Sequence, residues 1–156
     1  MESEIKFQKS LRESKVFLHF EDGTSFQGYV NRSKDDPELV KGIWGESAFT
    51  TGMSGYEETI TDPSFLGQHI IFTNSHTGNY ESDDRVRQSE EAHATCIISR
   101  NFSPNRFFNE IKIPLVSSID TRALTRFIVG SKVSQKSVLT TREMRPNKEE
   151  FKNFNI

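Results

Sequence analysis

The chain has 156 residues, a length that predicts one domain with a substantial apolar core. The 20 lysine and arginine residues face 22 acidic ones, and this net charge of -2, without a basic cluster, argues against nucleic acid as a partner. No stretch approaches the roughly 18 apolar residues of a membrane helix, the first residues lack a signal-peptide core, and there is a single cysteine, so we expect a cytoplasmic protein with no membrane partner.

Short apolar runs separated by turn residues predict a chain rich in strands. Residues 1–15 form a charged leader, and residues 16–30 alternate in a way that predicts a hairpin around Asp22-Gly23. The polar residues 31–41, with Pro37, are typical of a loop. Further strands are predicted, in chain order, over residues 43–49, 68–73, 94–99 and 138–140.

One helix is clearly indicated, and it begins at Asp120. Asp120 is a capping residue type, and the apolar residues that follow at helical spacing run to Gly130. Arg122 and Arg126, four residues apart, would share one face of this helix. They could hold a carboxylate or phosphate there, although an exposed basic face is the commoner outcome.

A stretch of small and turn-forming residues lies in the first half of the chain. Residues 50–55, Thr-Thr-Gly-Met-Ser-Gly, follow a predicted strand, and Asp62-Pro63 makes a second break. The two glycines fit neither the P-loop nor the dinucleotide-binding turn, and no lysine lies nearby to meet a phosphate. Composition alone therefore indicates only a tight surface loop.

Three segments of this chain resemble a known family. They are FTTGMSGYEETITDPSFLGQHIIFT followed by HTGNY, then DTRALTR at residues 120–126, and the hairpin residues Asp22-Gly23-Thr24 with Phe26 and Gly28. Together they are similar to the N-terminal domain of the small, glutamine-hydrolysing subunit of carbamoyl-phosphate synthetase. The resemblance covers residues 16–139, so we divide the chain into a leader (1–15), this domain (16–141) and a polar tail or truncated linker (142–156).

The resemblance implies a fold of the α/β class: a three-layer β/β/α swivelling-type domain with a mixed central sheet, a second smaller sheet and few helices. In the family, glutamine is hydrolysed by a separate amidotransferase domain. Ammonia then passes to a large subunit that uses ATP, with Mg²⁺, to make carbamoyl phosphate for arginine and pyrimidine biosynthesis. This chain lacks the amidotransferase triad, so we expect it to be inactive alone and to hold no catalytic residue, cofactor or metal.

The resemblance also implies sites and partners. Ser64 matches a serine that helps to hold glutamine from across the domain junction. The expected partners are the large synthetase subunit, as a heterodimer, and an amidotransferase domain in cis or in trans. The residues expected to contact the large subunit are Thr51, Gly52, Met53, Gly55, Tyr56, His76, Gly78, Asn79 and Tyr80.

Other interpretations compete with this one. The chain could be a free-standing protein-interaction module that has kept the fold without the pathway role. Cys96 could pair with a histidine as a nucleophile, but its place in an apolar run favours a buried strand residue. His69, His76 and His93 with Asp83 and Asp84 could be imagined as a metal cluster, yet they lack the short ligand spacing of zinc sites.

Overall fold

The structure, a computed structural model, describes residues 2–50, 65–73, 93–102, 111–131 and 135–154. No helix within these ranges is long and apolar enough to cross a membrane. The elements in chain order are α1 (Glu2–Ser10), β1 (Ser14–Phe20), β2 (Ser25–Val30), α2 (Pro37–Lys41), β3 (Ile43–Thr50), β4 (Gln68–Phe72), β5 (Cys96–Ser99), β6 (Leu115–Ser117), α3 (Thr121–Gly130), β7 (Lys136–Thr140) and α4 (Lys148–Asn153).

The strands form one closed barrel in the order β1-β2-β6-β5-β4-β3-β7. Strands β3, β4, β5 and β6 run parallel to one another, whereas β1, β2 and β7 complete the circle through antiparallel pairs. The predicted mixed, strand-rich fold with few helices is therefore confirmed. The described strands do not divide into a central sheet and a second smaller sheet, because β7 pairs with both β1 and β3 and closes the circle.

Several elements differ from the sequence prediction. Residues 37–41 form a short helix instead of a loop, because Asp36 caps it: its Oδ1 accepts from the amides of Glu38 at 2.9 Å and Leu39 at 3.3 Å. Pro37 stands in the first turn, where its missing N–H costs nothing. Strand β6, three residues long, was not predicted at all, since so short an apolar run has no clear period.

Two apolar clusters lie on the two sides of the barrel wall. The inner cluster receives side chains from six of the seven strands, so it fills the interior; its members include Val16, Leu18, Val30, Ile71, Ile98, Val116 and Leu139. Among the described residues, the outer cluster takes its strand residues from β4, β5 and β6, and α1 covers it with Phe7 and Leu11. The alternation of neighbouring residues between the two clusters follows from the two-residue period of a strand.

Helices close both ends of the barrel. Helix α3 connects the end of β6 to the start of β7, and its Leu124 and Ile128 pack into the inner cluster from that end. Phe127 of α3 lies 4.7 Å from Phe20, between ring centroids, at the same end. Leu39 of α2 belongs to the inner cluster and follows β2 at the other end.

The C-terminal helix packs on the outside of β3. Trp44 makes an edge contact with Phe151 of α4 at 4.9 Å and stacks on Phe154 at 5.5 Å, between ring centroids. Phe151 is almost completely buried there. Trp44 is thus a packing residue, and it fixes the polar segment that follows β7 to the barrel wall.

Candidate functional site at the carboxyl rim

The residues predicted to bind glutamine and the partner lie outside the described residues. They are Ser64, Thr51, Gly52, Met53, Gly55, Tyr56, His76, Gly78, Asn79 and Tyr80. The structure does describe residues next to these segments, which we call anchors: Thr50 ends β3, Phe65 comes shortly before β4, and Thr73 follows β4. Strands β3 and β4 are adjacent.

Strands β3, β4, β5 and β6 are parallel, so all four end at one edge of the barrel, which we call the carboxyl rim. The chain leaves β3 after Thr50 and β4 after Phe72, and these two residues are directly paired. Thr73 adds two hydrogen bonds, because its amide and its Oγ1 both donate to the carbonyl of Thr50 at 3.1 Å. The segments with the predicted partner contacts therefore start side by side on this rim.

The anchor of Ser64 is at the opposite end of β4. Phe65, the next residue, is partly buried against the outer cluster, and Leu66 is 72% exposed. Gly67 then adopts φ 80°, a conformation that favours glycine, and accepts a 3.1 Å hydrogen bond from the amide of Glu46. At about 3.3 Å per residue, the first residue of β4, next to this anchor, lies about 13 Å from the last residue of β4 at the rim.

A polar cavity opens at the rim, where β5 and β6 end. Its volume is about 480 Å³, and it is lined by Arg100, Asn101, Ser118, Ile119, Asp120, Thr121 and Arg122. Arg100 follows β5 directly and Ser118 follows β6, and the amide of Ser118 donates to the carbonyl of Arg100 at 3.1 Å. The parallel pairing of β5 and β6 thus brings together two segments that are far apart in the sequence.

A sharp turn directs the chain from β6 into the cavity wall and then into α3. Ser118 has φ 61°, the left-handed region, which costs a non-glycine residue on the order of 1 kcal/mol. The turn buries Ile119 and places Asp120 as the cap of α3, with its Oδ1 accepting from the amide of Ala123 at 3.0 Å. The predicted helix start is confirmed, and the first turn of α3 forms one wall of the cavity.

Arg122 and Arg126 are both exposed on α3, which agrees with the exposed basic face that the sequence favours. Arg122 lines the cavity together with Arg100, whereas Arg126, one turn further along α3, does not line it. Spacing on one helix could suggest the pair Arg122 and Arg126, but only the β5–β6 pairing brings Arg100 close. A signal for Arg100 existed, since it follows a predicted strand directly, but without β6 its partner segment was missing.

Cys96 and His69 do meet, inside the barrel. The Sγ of Cys96 lies 3.4 Å from Nδ1 of His69, whose Nε2 lies 3.4 Å from the carbonyl oxygen of Ser137. Burial lowers the pKa of His69 to about 4, and hydrogen bonds to the backbone of Ser137 and Ile43 oppose this only in part. Burial likewise raises the pKa of the Cys96 thiol to about 12.

This pair is therefore not a nucleophile and its base. Both side chains are fully buried and neutral at pH 7, whereas a reactive cysteine needs an accessible thiolate. The prediction that Cys96 is a buried strand residue is confirmed. Ser47 and Ser137, whose Oγ atoms are 2.7 Å apart, extend the polar contacts to the neighbouring strands β3 and β7.

Comparison with known proteins identifies one family. The family model described as "Carbamoyl-phosphate synthase small chain, CPSase domain" matches residues 18–138. The carbamoyl phosphate synthase small chain of Caldanaerobacter subterraneus subsp. tengcongensis is 40% identical over 124 residues, which are 72% of this chain and 33% of that protein. The arginine-specific small chain of Halalkalibacterium halodurans is 32% identical over 148 residues, 88% of this chain and 39% of that protein.

A third relative is matched over similar shares of the two chains. The carbamoyl phosphate synthase small chain of Staphylococcus haemolyticus is 36% identical over 134 residues, 79% of this chain and 34% of that protein. This chain thus spans 33% to 39% of the length of these three relatives.

Proposed function

The chain belongs to the carbamoyl-phosphate synthase small-chain family, and from this premise we propose that it works as the N-terminal domain of such a small chain. In that role it docks on the large synthetase chain and completes, with Ser64, the glutamine site of an amidotransferase domain. ATP and Mg²⁺ belong to the large chain, and the complex works in the cytoplasm. The domain itself contributes binding surfaces to glutamine-dependent carbamoyl phosphate synthesis.

The observation that carries this proposal is the pairing of β3 with β4. Because Thr50 pairs with Phe72, the segments with residues 51–56 and 76–80 begin at adjacent positions on the carboxyl rim. Each segment combines glycine with a tyrosine, a residue type enriched at interface hot spots. Two such segments from adjacent strands can contribute to one continuous contact surface.

The proposed interface is large and stable. An enzyme that passes ammonia between two chains must keep the junction sealed against water, and this needs more than a transient contact. Stable interfaces bury about 1,200 Å² or more in total, with aromatic residues enriched in the core. The rim segments would supply the central part of this area.

The docking role is tested by co-purification with the large chain. Tyr56→Ala and Gly55→Arg are expected to weaken capture of the large chain while the circular dichroism of the domain stays unchanged. Tyr29→Ala is the matched control, because Tyr29 lies on β2, on the other side of the barrel from β3 and β4. Equal capture by Tyr56→Ala and the unchanged chain, or equal loss with Tyr29→Ala, would refute the assignment of the rim.

The glutamine role is tested separately at Ser64. Its hydroxyl can donate to a carboxylate or amide oxygen, and a hydrogen bond to a charged ligand contributes about 1.5 to 3 kcal/mol. In a complete small chain paired with the large chain, Ser64→Ala is expected to raise the glutamine requirement by about tenfold or more. Synthesis supplied with ammonia should be spared, and equal loss with both nitrogen sources would remove Ser64 from the glutamine site.

A further inference from the structure

The cavity at the carboxyl rim carries an arrangement that the family role does not use. Arg100 and Arg122, two exposed residues, line one space of about 480 Å³. Within the described part of the chain neither side chain has a hydrogen bond or an ion pair. They come from different segments, so helix periodicity does not explain their meeting; it depends on the parallel pairing of β5 with β6.

The start of α3 adds donors to the same cavity. Asp120 accepts from the amide of Ala123 and so leaves the amides of Thr121 and Arg122 without an acceptor inside the helix. The partial positive charge at a helix N-terminus favours an anion at this position. Ser118 and Asn101 contribute a hydroxyl and an amide to the wall.

Thr121 provides an observation that does not depend on the helix end. It is only 6% exposed, yet its hydroxyl has no hydrogen-bond partner among the described residues. It lines the cavity, so its unused hydrogen-bonding capacity faces that space. The enclosed, unpaired side-chain oxygens of the described residues are those of Ser117 and Thr125, so the Thr121 oxygen is open to the cavity. A ligand in the cavity can form a hydrogen bond with it there.

We propose that this cavity binds the oxyanion group, a carboxylate or a phosphate, of a small metabolite. The paired N–H donors of a single guanidinium match the two oxygens of such a group, Arg100 and Arg122 each bring one guanidinium, and the amides of α3 with the Thr121 hydroxyl add further donors. The cavity is far larger than a free phosphate ion, and Asp120 on its wall can accept from a hydroxyl or ammonium elsewhere on the metabolite. The proposal does not depend on docking to a large chain.

The test is an NMR titration of the whole chain with inorganic phosphate, and in a second arm with acetate, at constant ionic strength. Saturable shifts of the amides of Ser118, Thr121 and Arg122 at millimolar ligand are expected. Amide shifts that saturate with phosphate but not with acetate indicate a phosphorylated ligand. Shifts that saturate with acetate but not with phosphate indicate a carboxylated ligand. Shifts that grow linearly with both ligands overturn the proposal.

Three variants locate the site. Arg100→Gln and Arg122→Gln are each expected to weaken binding by about tenfold, since each removes charge-assisted hydrogen bonds. Arg126→Gln is the matched control, because it removes the same charge from the same helix outside the cavity, and it should leave the affinity unchanged. Equal weakening by all three would mean a diffuse attraction to the charged surface, and the cavity would then not be a site.

Discussion

Acidification should destabilise this protein, and the largest effect is expected from one buried side chain, His69; burial lowers the pKa of His19 in the same direction. The His69 imidazole is fully buried in the barrel interior and has a folded-state pKa of about 4, whereas the ordinary value is 6.5. The folded protein therefore keeps His69 neutral over a pH range in which the unfolded chain takes up a proton. The contribution of neutral His69 to the free energy of unfolding is fully present above about pH 6.5, and it is lost as the pH falls from 6.5 towards 4.

The size of the effect follows from the two pKa values. The difference between 6.5 and about 4 corresponds to about 3 kcal/mol over the whole range, at about 1.36 kcal/mol per unit of pKa. From about pH 7.5 to about pH 5.5, above the range in which most carboxylates titrate, the expected loss due to His69 is about 1.3 kcal/mol. This is a substantial fraction of the roughly 5 to 15 kcal/mol that stabilises a typical domain.

Urea unfolding at these two pH values measures the loss directly. The His69→Gln variant, which keeps hydrogen-bonding groups in the interior but cannot titrate, should lose less stability than the unchanged chain by about 1.3 kcal/mol between the same two pH values. Its lower stability at neutral pH does not affect this comparison. The same pH dependence in both proteins, or an NMR titration of His69 in the folded chain with a midpoint near its ordinary value, would refute the reasoning.

Three further predictions concern the rest of the barrel. Cys96, with its pKa raised to about 12, should not react with a thiol reagent in the native protein but should react fully in urea, and fast native labelling would contradict its burial. Phe151→Ala should release α4 from the barrel, at a cost of about 3 to 5 kcal/mol to that contact, and shift the emission of the single tryptophan, Trp44, to the red. Asp120→Ala should lower the free energy of unfolding by about 1 kcal/mol through loss of the α3 cap, whereas Asp35→Ala, at an exposed aspartate in a loop, should leave it unchanged.

The sequence predicted well the elements whose signals are local. The hairpin of β1 and β2 follows from alternation around Asp22-Gly23, and its observed register pairs Leu18 with Phe26. Helix α3 follows from a cap and an apolar stripe, both of which lie within about ten residues. Such features depend on neighbours along the chain, so one sequence is sufficient to find them.

Closure of the barrel could not be predicted in this way. It depends on β7 pairing with both β1 and β3, contacts between residues about 100 positions apart. The resemblance suggested two sheets in separate layers, and the structure places all seven described strands in one closed sheet instead. Strand β6 was also missed. The sequence therefore could not show that Arg100, which follows β5, and Arg122, which comes after β6, line the same cavity.

The site predictions have a different status. Ser64 and the partner-contact residues came from a specific motif match, and they lie outside the described residues, so they stay predictions. The structure adds the positions of the neighbouring residues. The chain enters β4, shortly after Ser64, at one end of the barrel, and it leaves β3 and β4 at the other end, the carboxyl rim. A motif can identify such residues, but only strand direction tells which of them begin at the same edge.

The proposed docking of this domain on a large synthetase chain can be measured by calorimetric titration of one chain into the other. We expect a saturable heat at micromolar concentrations of both chains, reduced by Tyr56→Ala and unaffected by Tyr29→Ala. No heat from the unchanged chain at those concentrations would mean that the domain does not dock, and would favour a free-standing module that has kept the fold alone.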